Sequence, residues 1–173
     1  RGKLLNSWPV FTKEEGDVVR EVLLSNKVNY WTGEECRKFE KEFASWVESK
    51  YAVALGNGTL ALDVSFKALN ITVGDEVIVT SRTYIASISS IVNAGAVPVF
   101  ADVDSDSQNI TPEAIRSAMT DKTKAIVCVH LAGWPCDMDE IMAIANEHNL
   151  YVIEDCSQAH GSKYKGRSVG SFG

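Results

Sequence analysis

The turn at residues 56–59 contains the residue types that a phosphate site requires. Its sequence, Gly-Asn-Gly-Thr, follows a short apolar run and precedes a helical pattern. Backbone amides at the start of a helix attract anions, and small residues let a ligand approach the backbone closely. The alternative is an ordinary tight turn, in which glycine supplies a positive φ angle. The spacing alone leaves both interpretations open.

The same turn matches the dinucleotide-binding pattern Gly-x-Gly-x-x-Ala at Gly56, Gly58 and Ala61. In that class of site, an acidic residue at the end of the next strand binds the ribose. Here the acidic residues precede the next predicted strand, residues 77–80, and a Thr-Ser pair ends it. The sequence therefore argues against a nicotinamide cofactor.

A carboxylate ends the apolar segment 151–155. Burial raises the pKa of such a carboxyl group unless a cation or a hydrogen-bond donor lies beside it. A protonated ring nitrogen of a cofactor would be such a partner for Asp155, whereas a helix cap or a metal ligand is the alternative. Strand alternation turns Glu154 to the opposite face, and we predict a structural role for it.

A second motif, Gly-Arg-Ser-Val-Gly at residues 166–170, matches the nucleophile turn of serine hydrolases. That turn requires an apolar strand before it and a helix after it. The residues before this motif are polar and no helix start follows it, so the sequence argues against a serine hydrolase.

Three residues of a zinc-binding type lie close together in the sequence: Cys128, His130 and Cys136. Their spacing fits no structural zinc pattern. Buried, unreactive cysteines are more common, and we predict no metal site.

The elements that position these residues change character at residue 51. The segment 1–50 is predicted to be helical, with a capping box at Thr12 and Glu15. After it, short apolar runs alternate with helical patterns, one of which spans residues 138–148 behind an Asp137 cap. The predicted strands are residues 51–55, 77–80, 97–101, 125–130 and 151–155. Continuous apolar strands separated by helices indicate an α/β fold, a mainly parallel sheet in three α/β/α layers. Ligands of such sheets lie at the carboxyl ends of the strands.

Composition excludes several kinds of partner. The 173 residues include 23 acidic and 17 basic ones, for a net charge of −6. This charge argues against binding to nucleic acid or to an anionic membrane surface. No apolar run approaches the ~20 residues of a membrane span. Without a secretory signal we expect a cytoplasmic protein with reduced cysteines.

Six segments, in this order and spacing, resemble the DegT/DnrJ/EryC1/StrS family of sugar aminotransferases. The string Glu-Asp-Cys-Ser-Gln-Ala-His-Gly at residues 154–161 is the most specific of them. The others are residues 51–54, 57–62, 74–78, 95–103 and 129–133. The resemblance extends from about Trp8 to Gly173. It implies the fold of aspartate aminotransferase, which is fold type I of the enzymes that use pyridoxal 5'-phosphate (PLP).

The resemblance also implies a role for each of five residues. The backbone amides of Gly58 and Thr59 would hold the cofactor phosphate, and Tyr84 would stack on the pyridine ring. Asp155 would pair with the ring nitrogen and keep it protonated. Gln158 would bind the phenolic oxygen of the ring.

The family's Schiff-base lysine lies beyond the Ser-Phe motif that follows Gly173. We therefore expect no catalytic residue in this chain and a native polypeptide that continues past Gly173. In this interpretation residues 51–173 are part of the large, PLP-binding domain, residues 1–50 are an N-terminal helical segment, and a small C-terminal domain is absent from the chain.

The activity implied is the transfer of an amino group, with glutamate as donor and a keto nucleotide-sugar as acceptor. The product would be an amino sugar for lipopolysaccharide or a related glycoside, and the enzyme would be a homodimer. The aromatic loop at residues 29–33 is a candidate for substrate or subunit contact, or a plain connection between helices. Two alternatives stay open: a PLP-dependent sugar dehydratase, with histidine in place of the lysine, and a catalytically incomplete fragment.

Overall fold

The computed structural model describes residues 9–173, so residues 1–8 of the predicted helical segment lie outside the described part. The α-helices are α1 (Lys13–Leu24), α2 (Glu35–Trp46), α3 (Gly58–Ala68), α4 (Ala86–Asn93), α5 (Pro112–Ala118) and α6 (Met138–His148). The strands are β1 (Glu76–Thr80), β2 (Val97–Ala101), β3 (Thr123–Val129), β4 (Tyr151–Asp155), β5 (Lys163–Tyr164) and β6 (Arg167–Ser168). A short 3-10 helix, Leu131–Gly133, follows β3.

Four of these strands form one sheet in the order β2-β1-β3-β4. All three pairings are parallel, as the apolar strands predicted. The carboxyl ends of the strands therefore lie along one edge of the sheet. The remaining strands, β5 and β6, form a separate antiparallel hairpin.

Strand alternation divides the core into two layers, one on each face of the sheet. On one face, Val77 and Val79 of β1 pack in a cluster with buried residues of α3 and α4, such as Phe66 and Ile91. On the other face, Ile78 packs in a cluster with buried residues of α5 and α6. The structure thus confirms the predicted three-layer α/β/α fold.

Most helix starts follow the local signals in the sequence. Thr12 and Glu15 form the predicted capping box of α1. The helix α6 begins at Met138 as predicted, but the side chain of Asp137 forms no capping hydrogen bond. Instead, that carboxylate accepts a hydrogen bond from the hydroxyl of Tyr164 in the hairpin. The contact between Asp137 and Tyr164, which are 27 residues apart, therefore forms in place of the local helix cap.

The predicted strand at residues 51–55 is wrong. This segment is not part of a strand within residues 9–173. Tyr51 and Val53 are each 75% exposed. The backbone amide of Ala54 donates to the side chain of Glu40 in α2, at 2.9 Å. Because a strand requires a hydrogen-bonded neighbour, apolar composition alone was insufficient here.

Candidate functional site

One cavity at the carboxyl edge of the sheet brings together all five predicted site residues. Its volume is about 310 Å³, and Gly58, Thr59, Tyr84, Asp155 and Gln158 contribute to its lining. These residues come from the start of α3, the segment before α4, and the end of β4 with the turn that follows it. The remaining lining residues are Leu62, Thr83, Ala86, Val129 and Ser157.

The start of α3 leaves two backbone amides available to a ligand. The side chain of Asn57 caps the helix by accepting from the amide of Leu60 at 2.9 Å. Within the described residues, the amides of Gly58 and Thr59 donate to no protein acceptor. An unsatisfied helix N-terminus beside a cavity favours an anion.

The carboxylate of Asp155 is held on both of its oxygens. Oδ1 accepts from the amide of Ser157 at 3.1 Å and from its hydroxyl at 2.6 Å. Oδ2 accepts from the hydroxyl of Ser87 at 3.1 Å. A carboxylate with this many donors keeps one orientation, so it suits a cationic partner in the cavity.

The two remaining predicted residues supply an aromatic face and an amide. Tyr84 lines the cavity and is 69% exposed, so its ring is available for stacking on a planar ligand. The Oε1 atom of Gln158 accepts from the backbone amide of Ala132 at 2.8 Å. This hydrogen bond orients the side chain so that its NH₂ group can donate to an oxygen of a ligand.

Glu154 lies on the opposite face of β4, as strand alternation predicts. Its side chain is 3% exposed and accepts from Nε2 of the fully buried His130 at 3.0 Å. It also accepts from the backbone amides of Gly170, Phe172 and Gly173. Burial raises the pKa of Glu154, but these hydrogen bonds outweigh burial and lower the pKa below its ordinary value. The carboxylate therefore fixes residues 170–173 against β4.

The same cluster contains the ligand atoms of a conceivable metal site, since Glu154, His130 and Cys156 lie within 4.8 Å of one another. The hydrogen bonds do not fit such a site. The amide of Cys136 donates to Nδ1 of His130 at 3.0 Å, which places the ring proton on Nε2, where it donates to Glu154. Burial raises the pKa of Cys156. Metal binding would require removing the protons from both groups.

The zinc interpretation of Cys128, His130 and Cys136 is not supported either. The thiol of Cys136 donates to the carbonyl of Val129 at 3.3 Å. A hydrogen bond with Cys136 and complete burial raise the pKa of Cys128 well above its ordinary value. A hydrogen bond with Cys128 lowers the pKa of Cys136 to about 6, so only Cys128 is held as a thiol by its surroundings, whereas zinc binds thiolates.

The serine-hydrolase motif lies in the hairpin, not on a strand-to-helix turn. Ser168 is in β6 and is 8% exposed. The dinucleotide pattern likewise lacks its acidic residue, because β1 ends at Thr80. The structure thus agrees with both exclusions.

No local pattern in the sequence indicated two hydroxyl groups of the site. Ser87 is fully buried in α4 and lies 68 residues before Asp155, to which it donates. Thr83 shares a hydrogen bond of 2.9 Å with Ser87. Only the packing of α4 against the sheet brings these residues to Asp155.

The family model for the DegT/DnrJ/EryC1/StrS aminotransferase family matches residues 9–173, almost the whole chain. The chain belongs to this family.

Three similar proteins illustrate the range of the DegT/DnrJ/EryC1/StrS family. GDP-perosamine synthase from Escherichia coli O157:H7 is 47% identical over 95% of this chain and 45% of its own length. The crystal structure of an aminotransferase from Psychrobacter cryohalolentis has 71% identity and a TM-score of 0.96, covering 97% of this chain and 42% of that one. NtdA from Bacillus subtilis, with bound cofactor PMP (pyridoxamine phosphate), has 34% identity and a TM-score of 0.81, covering 87% and 35%.

The chain thus spans less than half the length of each of these relatives. Among residues 9–173, no helix has the length and apolar character needed to cross a membrane.

Proposed function

We propose that this chain forms the cofactor-binding part of a PLP-dependent sugar aminotransferase. The observation that carries the proposal is the joint placement, around one cavity, of two helix amides without an acceptor among residues 9–173, a carboxylate oriented by hydroxyl donors and an exposed aromatic ring. Each of these groups complements a different part of PLP: its phosphate, its ring nitrogen and its ring face. The family and the PMP-bound relative support the same cofactor.

The residues of the chain would bind and orient the cofactor. The amides of Gly58 and Thr59 would donate to the phosphate, and Tyr84 would stack on the ring. Asp155 would accept a hydrogen bond from the protonated ring nitrogen and stabilise its positive charge. Gln158 would donate to the phenolic oxygen through its NH₂ group. When bound, PLP supplies the electron sink for transamination.

The substrates are proposed from the names of the relatives and the family. A keto nucleotide-sugar would accept the amino group, as the perosamine synthase name indicates for that relative, and glutamate would donate it. The product would be an amino sugar for a surface polysaccharide such as lipopolysaccharide. We propose a cytoplasmic homodimer for the complete enzyme.

The division of the protein is part of this proposal. Residues 51–173 would belong to the large domain, and residues 1–50 would form an N-terminal helical segment. The Schiff-base lysine and the small C-terminal domain would follow Gly173. The greater length of the relatives supports this arrangement.

Substitution of Gly58 tests the phosphate site. Gly58→Asp places a carboxylate at the first position of α3, where an acidic residue favours the helix but repels phosphate. We expect the dissociation constant for PLP to rise at least about tenfold, the factor that one charge-assisted hydrogen bond represents. Stability should be unchanged, because an acidic residue suits that helix position.

Two variants are matched controls for Gly58→Asp. A Cβ at Gly58 would lie 3.5 Å from the hydroxyl of Ser157, an ordinary contact, so Gly58→Ala separates bulk from charge. Tyr84→Ala removes the stacking face, worth about 0.5–1.5 kcal/mol, and should weaken PLP binding less than Gly58→Asp. Titrations of the native polypeptide with PLP, and with NADH as a control, measure these effects. Tight NADH binding without PLP binding would reject the proposal.

A further inference from the structure

We propose that Ser87 is a positioning residue that fixes the orientation of the Asp155 carboxylate, an inference that rests on the proposed function. Ser87 is fully buried, and its hydroxyl is the donor to Oδ2 of Asp155, at 3.1 Å. Its role is not to touch the cofactor but to hold the carboxylate that does.

The direction of the hydrogen bonds follows from the chemistry of the groups. An ionised carboxylate only accepts hydrogen bonds, so the proton of the Ser87 hydroxyl must point at Asp155. The Ser87 hydroxyl must then accept a hydrogen bond from Thr83, because Oγ1 of Thr83 lies 2.9 Å from Oγ of Ser87. The result is a relay in one direction, from Thr83 through Ser87 to Asp155, in which each donor polarises the next.

The two oxygens of Asp155 are held by different parts of the fold. Among the described residues, Oδ1 accepts only from Ser157, which is two residues away on the same chain segment. Oδ2 accepts from Ser87, which belongs to a helix on one face of the sheet. Without Ser87, the described residues would provide no donor to Oδ2, and the carboxylate could rotate about its bond to Cβ.

Ser87 also connects Asp155 to the proposed stacking residue. The backbone amide of Ser87 donates to the carbonyl of Tyr84 at 3.1 Å, within the first turn leading into α4. The residue that faces the cofactor ring and the residue that orients its carboxylate partner thus belong to one turn. This arrangement fixes the carboxylate relative to the plane of the ring.

The hydrogen bond from Ser87 has a defined electrostatic effect. It holds Oδ2 in place, so the charge of the carboxylate would stay directed at the ring nitrogen of PLP. In the pair that Asp155 would form with that nitrogen, an aligned carboxylate would keep the ring proton in a strong hydrogen bond. Removing the donor would free the carboxylate to rotate, and the ring nitrogen would hold its proton less firmly.

Ser87→Ala in the native polypeptide, loaded with PLP labelled with ¹⁵N in the ring, tests this role. We expect the ¹⁵N resonance to move toward the position of the unprotonated ring. The apparent dissociation constant for PLP should rise by at most about tenfold, because the hydrogen bond that is lost, which represents about that factor, also exists in the protein without PLP. Thr83→Val, which keeps the buried serine, should move the resonance in the same direction by a smaller amount.

Ser90→Ala is the matched control. Ser90 is in the same helix and equally buried, but its hydroxyl points to the carbonyl of Thr59 at 3.5 Å. Ser90→Ala removes a hydroxyl group, as Ser87→Ala does, but from a side chain that does not contact Asp155. This variant should therefore leave the ¹⁵N resonance in place.

Three results distinguish the inference from the proposed function. A shifted resonance in Ser87→Ala and Thr83→Val, but not in Ser90→Ala, supports the positioning role. An unshifted resonance in both of the first two variants overturns it while PLP binding stands. A wild-type protein that binds no PLP rejects the proposed function itself and the inference with it.

Discussion

Glu154→Gln removes the charge and half of the acceptor capacity from a carboxylate that holds two parts of the fold together. Oε1 of Glu154 accepts from the amides of Phe172 and Gly173, and Oε2 accepts from the amide of Gly170 and from Nε2 of His130. A glutamine side chain has one oxygen for one of these pairs. Its NH₂ group would face the two donors of the other pair, whichever way the amide is turned.

The expected loss of stability follows from these contacts. Hydrogen bonds to a charged group contribute about 1.5–3 kcal/mol each, so losing two of them costs about 3–6 kcal/mol. The imidazole cannot relieve the conflict by moving its proton, because Nδ1 of His130 already accepts from the amide of Cys136. A loss of this size is a large share of the ~5–15 kcal/mol that stabilises a typical domain.

Urea denaturation of the native polypeptide at neutral pH, followed by tryptophan fluorescence, measures this loss. The control is Glu42→Gln, an exposed residue of α2, which should change the free energy of unfolding by less than about 0.5 kcal/mol. A Glu154→Gln variant with the midpoint of that control would refute the reasoning.

The pH dependence provides an independent check. The pKa of Glu154 in the folded protein lies below its ordinary value of 4.5, so its stabilising effect is complete above pH 4.5. The effect declines as the pH falls through the folded pKa, because the unfolded chain then binds more protons. The difference between wild type and Glu154→Gln should therefore be constant near neutral pH and shrink in acid.

Three further predictions concern the site and the fold. Asp155→Asn should lower the rate of the half-reaction with glutamate at least tenfold to a hundredfold, because a neutral amide does not stabilise the charge of the cofactor ring. Stopped-flow absorbance of the native polypeptide would measure this rate, and a rate near that of the wild type would exclude the proposed role of Asp155. Thr111→Ala removes the oxygen that caps α5 by accepting from the amide of Ala114 at 3.1 Å, and the free energy of unfolding should fall by about 1 kcal/mol in urea titrations. Gln158→Ala leaves the amide of Ala132 without its acceptor, so hydrogen exchange at that amide should accelerate, whereas unchanged protection would show that the contact does not persist in solution.

Local sequence signals determined much of the layered fold. The apolar pattern that follows Asp137 predicted residues 138–148, the bounds that α6 has, although the Asp137 side chain does not cap the helix. The apolar runs predicted β1 to β4 within a few residues, because buried parallel strands require continuous apolar residues. Alternation along β4 also separated Glu154 from Asp155 correctly. The period of two in a strand fixes which side chains share a face, whatever surrounds them.

Sequence patterns also located the lining of the cavity. Turns after parallel strands meet at one edge of a sheet, so the strands predicted at residues 77–80 and 151–155 placed residues 80–84 and 155–160 near one another. Residues 56–59 also line the cavity, although the strand predicted before them does not form. The individual roles of these residues came from the family resemblance and stay proposals. The geometry alone shows amides that suit an anion, a carboxylate that suits a cation and an aromatic ring that is free to stack.

Only the tertiary structure decided which groups bond to these residues. Residues 51–55 have the composition of a strand, yet they lack a strand partner among the described residues, and Glu40 binds their backbone. Asp137 precedes a helix but accepts from Tyr164. Ser87 reaches Asp155 across 68 residues. Hydrogen bonds between distant segments depend on how helices pack on the sheet, and no local pattern of residues encodes that packing.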